Sequence, residues 1–160
     1  MTKTVTMAAA TAGHAEGGTT LNAFDNALLA AGIGNINLIK VSSILPPDVP
    51  VIELPKIKPG ALIPTAYAAM TSETPGETIA AAVGYAVPDD PAKNGVIMEF
   101  HGLASRAEAE RQIHLMLEEA FQVPGETIRE RGVVSTEHTV GSRPGCALAA
   151  ITLLADEDLV

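Results

Sequence analysis

An α+β sandwich is the fold class predicted, on three observations. Only two stretches of the chain carry apolar residues at helical spacing, and about eight β-prone runs separated by Pro and Gly fill most of the rest. The third is length: 160 residues suit one domain, residues 1–160, that buries its apolar surface without disulfides or metal. Stacked sheets with the helices outside satisfy all three.

Thr4 to Ala10 read as a first strand and Gly13 to Gly18 as a small-residue turn. A helix is predicted over 21–31, with Thr20 as N-cap. Phe24, Ala27, Leu28 and Ala31 recur along it, and Gly32 stands where a left-handed C-terminal residue belongs. Gly32-Ile33-Gly34 turns the chain into a strand, Ile36 to Val41, which stops at Ser42-Ser43 ahead of Pro46-Pro47. Short strands follow at Val51 to Leu54, Ala61 to Thr71, Thr78 to Val87 and Val96 to Phe100. Several are apolar on both alternating faces, which predicts cover on both sides or a subunit contact.

Ser105 and Glu108 form a capping box for the second helix, whose stripe is Ile113, Met116, Leu117, Ala120 and Phe121 and which ends before Pro124. Two more strands lie near Ile128 to Thr139 and Ala147 to Leu154, and the acidic tail Asp156-Glu157-Asp158 is expected in solvent. Pro75-Gly76-Glu77-Thr78-Ile79 returns as Pro124-Gly125-Glu126-Thr127-Ile128, a shared turn-to-strand entry without flanking similarity and so no duplication.

Composition removes several classes of function. With 10 basic and 19 acidic residues the net charge is −9, which repels phosphate backbones and excludes nucleic acid as an expected partner. That field favours a cationic small molecule as readily as it favours solubility. The longest apolar runs fall well short of the roughly 20 residues that span a bilayer, and the start has no signal-peptide pattern, so no membrane and a cytoplasmic location are expected. Aromatics are 3% of the residues and Trp is absent, so no stacking platform for bases is available. The single cysteine, Cys146, sits in an apolar run and reads as a small buried hydrophobe.

Familiar motifs are lacking. Gly32-x-Gly34 follows a helix and has Asn37 where a dinucleotide fingerprint needs its third glycine. His14, His101, His114 and His138 are scattered without metal-ligand spacing, so no metal is expected, and His114 falls on the outer side of its helix.

What remains is Ser42-Ser43, where an apolar run halts against a double proline. Attack of the Ser43 hydroxyl on the Ser42 carbonyl would convert the peptide to an ester. β-Elimination then leaves a dehydroalanine that hydrolyses to a pyruvoyl group, a ketone built into the chain. Taken alone, a Ser-Ser pair reads more simply as a hydrogen-bonded strand end.

The surroundings change that reading. Leu21-Asn22-Ala23-Phe24-Asp25, Ala31-Gly32-Ile33-Gly34-Asn35-Ile36-Asn37-Leu38 and Val41-Ser42-Ser43-Ile44-Leu45-Pro46-Pro47 closely resemble the pyruvoyl-dependent arginine decarboxylases. So do Gly60-Ala61-Leu62-Ile63-Pro64-Thr65-Ala66-Tyr67, Pro75-Gly76-Glu77-Thr78-Ile79, Ile97-Met98-Glu99, Glu137-His138-Thr139-Val140 and Gly145-Cys146-Ala147. The likeness runs from about Gly17 to Leu153 with its motifs in order.

The resemblance implies a proenzyme that cuts itself between Ser42 and Ser43, giving a β chain of residues 1–42 and an α chain of 43–160. It further implies a four-layer αββα sandwich and a trimer of such pairs, with active sites between subunits. The pyruvoyl group from Ser43 would form a Schiff base with L-arginine and release CO2 and agmatine, with no diffusible cofactor, in polyamine synthesis or acid resistance. Glu99, between Met98 and Phe100, matches the proton donor, and burial in an apolar strand suits a carboxyl to hold that proton. Asp25 matches the guanidinium partner, although its residue context alone reads as a surface helix aspartate. Asn37 matches a position beside the pyruvoyl, with Gly34 and Ile36 lining the same wall. Two alternatives stand beside this reading: the same chemistry on another amino acid, and an uncleaved, non-catalytic paralogue with a binding role.

Overall fold

Small and β-branched residues in alternation dictate two sheets, and the computed structural model, which describes residues 3–160, contains both. The strands are β1 Met7–Glu16, β2 Asn37–Lys40, β3 Ile44–Leu45, β4 Val51–Ile52, β5 Leu62–Ser72, β6 Thr78–Pro88, β7 Gly95–Leu103, β8 Ile128–Thr139 and β9 Gly145–Leu154. The helices are α1 Thr20–Ala30 and α2 Arg106–Gln122. One sheet runs β2-β5-β9-β1-β4 and the other β3-β7-β6-β8. Hence β2 and β3, consecutive in the chain, are edge strands of different sheets.

The alternation sorts side chains to their layers. On β9, which is buried from end to end, Cys146, Leu148 and Ala150 join Ala23 and Ala27 of α1. The intervening Ala147, Ala149, Ile151 and Leu153 join Ile79, Ala81, Val83 and Ile97 of the other sheet in a cluster shared by both sheets. On β6, Ala80, Ala82 and Ala86 turn the other way to meet Ala109, Ile113, Leu117 and Phe121 of α2. Each of the buried Ile and Leu side chains contributes roughly 1.5–3 kcal/mol, and alanines at the contacts let helices lie close to the sheets.

Several boundaries differ from the sequence expectation. The first strand is not confined to Thr4–Ala10: it continues through the expected Gly13 turn to Glu16. Gly13 is there for close approach, since a Cβ would lie 2.6 Å from the Ala31 nitrogen and 2.7 Å from the Ala27 carbonyl oxygen. Thr19, not Thr20, caps α1 by accepting the Asn22 N–H at 3.1 Å, and Gly32 takes φ +82° after it. Ser105 caps α2 at 3.1 Å from the Glu108 N–H, but the reciprocal half of the box is absent. The Glu108 carboxylate instead holds Arg111 at 2.7 Å, and that hydrogen bond draws its pKa down to about 2. The two-residue β3 went unread because Pro46-Pro47 hides so short a strand. The acidic tail is not simply solvated: Asp158 is buried, accepts the Ala155 N–H at 2.7 Å and pairs with Lys3 at 2.8 Å.

The histidines are not all scattered. His14 of β1 and His138 of β8 join the two sheets through Nδ1 atoms 2.9 Å apart. Nε2 of His138 is buried without a partner, beside Gly145, where a Cβ would come within 2.7 Å of it. The tautomer that fits carries its proton on His138 Nδ1 and donates it to His14, because a proton on Nε2 would find no acceptor among the described residues. Burial first, then the neighbouring His14, lowers the His138 pKa below its ordinary 6.5, and Glu16 opposes this weakly. With the folded value below the unfolded one, the unfolded chain binds the extra proton in the window just under pH 6.5. The unfolding temperature is therefore expected to fall as pH drops from 7.5 to 5, and His138→Asn to flatten part of that slope. An equal slope in both proteins would remove the pair as a source of acid sensitivity.

Candidate active site

The run Ile36 to Val41 ends as an edge strand, and the next strand belongs to the other sheet, so Val41-Ser42-Ser43 crosses from one sheet to the other. Both ends of the crossing are tied. The Val41 N–H donates to the Thr65 carbonyl at 3.1 Å, and the Ser43 carbonyl accepts the Ile97 N–H at 2.7 Å. Between these ties Ser42 is exposed, and among the described residues it makes no hydrogen bond, nor does the Ser43 hydroxyl. The peptide bond between the two serines is thus positioned by its flanks, with its own carbonyl left unengaged.

The same ladder brings up Glu99. β3 pairs with β7 through Ile44 opposite Val96 and Leu45 opposite Gly95, so the register continues with Ser43 opposite Ile97. Glu99 lies two residues farther along β7, on the face of Ile97 and directly across from Val83 on β6. Ile97 and Val83 are fully buried between the sheets, and Glu99 is half-buried at the rim of that apolar layer. Burial raises its carboxyl pKa from the ordinary carboxylate value, with Lys40 and then His101 opposing the rise. A carboxyl so placed keeps its proton to higher pH than a free one.

The remaining sequence candidates lie elsewhere in the single chain. Gly34, Ile36 and Asn37 sit before and at the start of β2, whose four residues span roughly 10 Å up to Lys40. Gly34 packs against α1, where a Cβ would come within 2.5 Å of Leu29. Ile36 joins the apolar layer under that helix, and Asn37 Nδ2 donates to the Gly60 carbonyl at 3.2 Å. Asp25 is exposed on α1, without an ion pair or hydrogen bond from its side chain among the described residues. One chain therefore brings Ser42, Ser43 and Glu99 together and holds Gly34, Ile36 and Asn37 apart from them.

Sequence reasoning missed Lys40 and Tyr67. The Lys40 ammonium stands 4.7 Å from the centre of the Tyr67 ring, and Phe24 of α1 packs on that ring at 6.4 Å. A signal was present, since Lys40 is the only charge in the apolar run before Ser42. Cys146 takes no part: it is fully buried and its thiol pKa is pushed up to about 12. A cavity of about 360 Å³ lined by Pro46, Asp48, Tyr85, Asp90, Arg129 and Glu130 contains neither Ser43 nor Glu99. No cluster of three or more metal-ligating side chains is present among the described residues.

Comparison with known proteins extends these observations. A profile of the family described as pyruvoyl-dependent arginine decarboxylase matches residues 7–158. A protein of that description from Methanocaldococcus jannaschii is 49% identical over 142 residues, which cover 89% of this chain and 86% of that one. Another from Pyrococcus horikoshii is 47% identical over 153 residues, 94% of each chain. One from Thermococcus sibiricus is 47% identical over 145 residues, 89% of this chain and 91% of that one. Among solved structures, a pyruvoyl-dependent histidine decarboxylase at pH 8 superposes with a TM-score of 0.52 at 17% identity. That match covers 61% of this chain and only about half, 52%, of the histidine decarboxylase chain, and it speaks to the fold alone.

Proposed function

The chain belongs to the pyruvoyl-dependent arginine decarboxylase family, and from that membership we propose that it converts L-arginine to agmatine and CO2 on a pyruvoyl group made from Ser43. The observation that carries the reading is the half-buried Glu99 two residues along β7 from the partner of the Ser42-Ser43 crossing. The crossing suits self-cleavage, because both flanks are tied while the carbonyl to be attacked is unengaged. Cleavage there would leave residues 1–42 as the β chain and 43–160 as the α chain. The pyruvoyl group supplies a ketone that captures the substrate amine and an adjacent carbonyl that takes up electrons as CO2 departs.

The chain's own residues do the rest. Glu99 holds a proton against the apolar layer and delivers it to the substrate's α-carbon once the carboxylate has left. Asp25 accepts the guanidinium through two parallel hydrogen bonds, and Asn37, with Gly34 and Ile36, forms the wall that orients the substrate. Because these groups are separated within one chain, a second copy completes the site. This supports a trimer of αβ pairs with sites between subunits, built on a four-layer αββα sandwich. No helix among the described residues is long and apolar enough to cross a membrane, which accords with a cytoplasmic enzyme.

CO2 release from a panel of amino acids, run beside intact-mass analysis, tests the reading. Two fragments broken after Ser42 and release from arginine alone are expected. Release from another amino acid would move the substrate while keeping the chemistry, and an inert 160-residue species would leave a paralogue without the reaction. Asp25→Asn should raise the arginine KM about 10–100-fold, the worth of one charge-assisted pair, with little loss of stability at this exposed position. An unchanged KM would place the guanidinium elsewhere.

A further inference from the structure

The cavity of about 360 Å³ opens at the far end of β7 from Glu99. Gly95, the first residue of β7, lines it, and four residues, roughly 13 Å of strand, separate that end from Glu99. Both sheets contribute to its walls, with Val51 of β4 from one and Tyr85 and Val87 of β6 from the other. The volume falls within the roughly 300–1,000 Å³ of sites that hold small molecules.

A break in strand pairing gathers charge there. Val87 stands opposite Glu130 and Pro88 opposite Ile128, so Arg129 is an extra residue bulged out of the β6–β8 ladder. In a regular strand Arg129 and Glu130 would project from opposite faces, yet across the bulge both line the cavity. The Tyr85 ring lies over β8 at Gly132, where a Cβ would come within 2.7 Å of it, and burial and then the nearby Glu130 raise the Tyr85 pKa. Two of the charges are already engaged: Lys93 pairs with Glu126 at 2.6 Å, and Asp90 accepts the Ala92 N–H at 2.9 Å. Arg129, Glu130 and Asp48 have no ion pair or side-chain hydrogen bond among the described residues.

An open guanidinium and two open carboxylates therefore surround a lining that Val49, Val51 and Val87 make apolar. No single ion suits both signs: an anion alone would meet the carboxylates, and a cation alone the guanidinium. We propose that this cavity binds a small molecule bearing a carboxylate and a cationic group, an amino acid with a basic side chain, whose carboxylate takes the Arg129 fork while its cation is held by Asp48 and Glu130. The net charge of −9 favours the approach of such a ligand. One consequence rests on the arginine reading of the active site: decarboxylation removes the group that Arg129 would hold, so the cavity would tell the substrate from its product.

The chain supplies its own reporter, because it has two tyrosines and no tryptophan. In Ser43→Ala protein that also carries Tyr67→Phe, Tyr85 is the one remaining source of tyrosine fluorescence. That protein makes no pyruvoyl group, so the result stands or falls apart from the decarboxylation reading. Titration with L-arginine, at ionic strength matched with sodium chloride, is expected to give a saturable change in the Tyr85 signal at millimolar concentration or below. Agmatine, which keeps the guanidinium and lacks the carboxylate, is expected to bind about 10–100-fold more weakly, the worth of the lost charge-assisted pair. Arg129→Met should weaken L-arginine to the level of agmatine, whereas Glu130→Gln and Asp48→Asn should weaken both ligands. Arg129 and Glu130 are exposed, so circular dichroism of these variants should match that of the parent. Absence of a saturable change, equal affinity for the two ligands, or an L-arginine affinity untouched by Arg129→Met each overturns the proposal. A fall in assembly mass in Arg129→Met, with no arginine response in the parent, also overturns it and makes the cavity a contact between copies of the chain.

Discussion

Ser43→Ala is expected to purify as one uncut chain of 160 residues and to release no CO2 above background from any amino acid. Among the described residues the Ser43 hydroxyl makes no hydrogen bond, so its removal costs little stability, and the fold is held at that point by the backbone carbonyl on Ile97 at 2.7 Å. The variant should therefore match the wild type in circular dichroism and assembly while lacking both the proposed cutting nucleophile and the proposed precursor of the ketone. Intact mass reads the first loss and CO2 release the second. A Ser43→Ala protein still broken after Ser42 would place the cutting nucleophile on another residue.

Glu99→Gln separates cutting from turnover. Glutamine keeps the volume and a hydrogen-bonding end at the rim of the apolar layer but carries no transferable proton. Cleavage after Ser42 is expected to proceed, and kcat to fall about 10²–10⁴-fold, the range for loss of a positioned general acid. Arginine KM should change much less, because in its proposed role Glu99 would act after the substrate is held. The pH dependence gives a second reading. The folded carboxyl has a raised pKa, so it remains a donor above the pH at which an ordinary glutamate has lost its proton. Turnover should decline as pH rises through that raised value, and the residual rate of Glu99→Gln should lack this decline.

The sequence spoke clearly about whatever depends on period and punctuation. α2 announced itself by Ser105, its apolar stripe and Pro124, and β8 by its β-branched Ile128, Val133, Val134, Thr136 and Thr139. Elements set by long-range pairing were harder to read. β1 continues through Gly13 because a helix lies on it, and nothing local distinguishes that glycine from one in a turn. Asp158 looked like part of a charged tail until Lys3, more than 150 positions away, came to meet it at 2.8 Å. The site shows the same division. Ser42, Ser43 and Glu99 are marked by their immediate neighbours, and the two sheets then bring them together. Lys40 on Tyr67 and His14 on His138 are pairs that only tertiary folding creates, so even where Lys40 stood out as the one charge in its run, its partner was not legible locally.

The crossing between the sheets also decides what kind of object the cut molecule would be. Residues before Ser43 supply β1, seated between β9 and β4, as well as α1 and the edge strand β2. The short fragment is woven into the five-stranded sheet at two separate places, so it cannot slip away unless that sheet is unzipped on both sides of β1. While folded, the two pieces behave as one body. Once melted they become two solutes, and reassembly turns from a first-order folding reaction into a bimolecular encounter whose success depends on concentration. Self-cleavage would thus act as a ratchet: the intact precursor can refold from any unfolding event, whereas the mature molecule, diluted after melting, loses its route back.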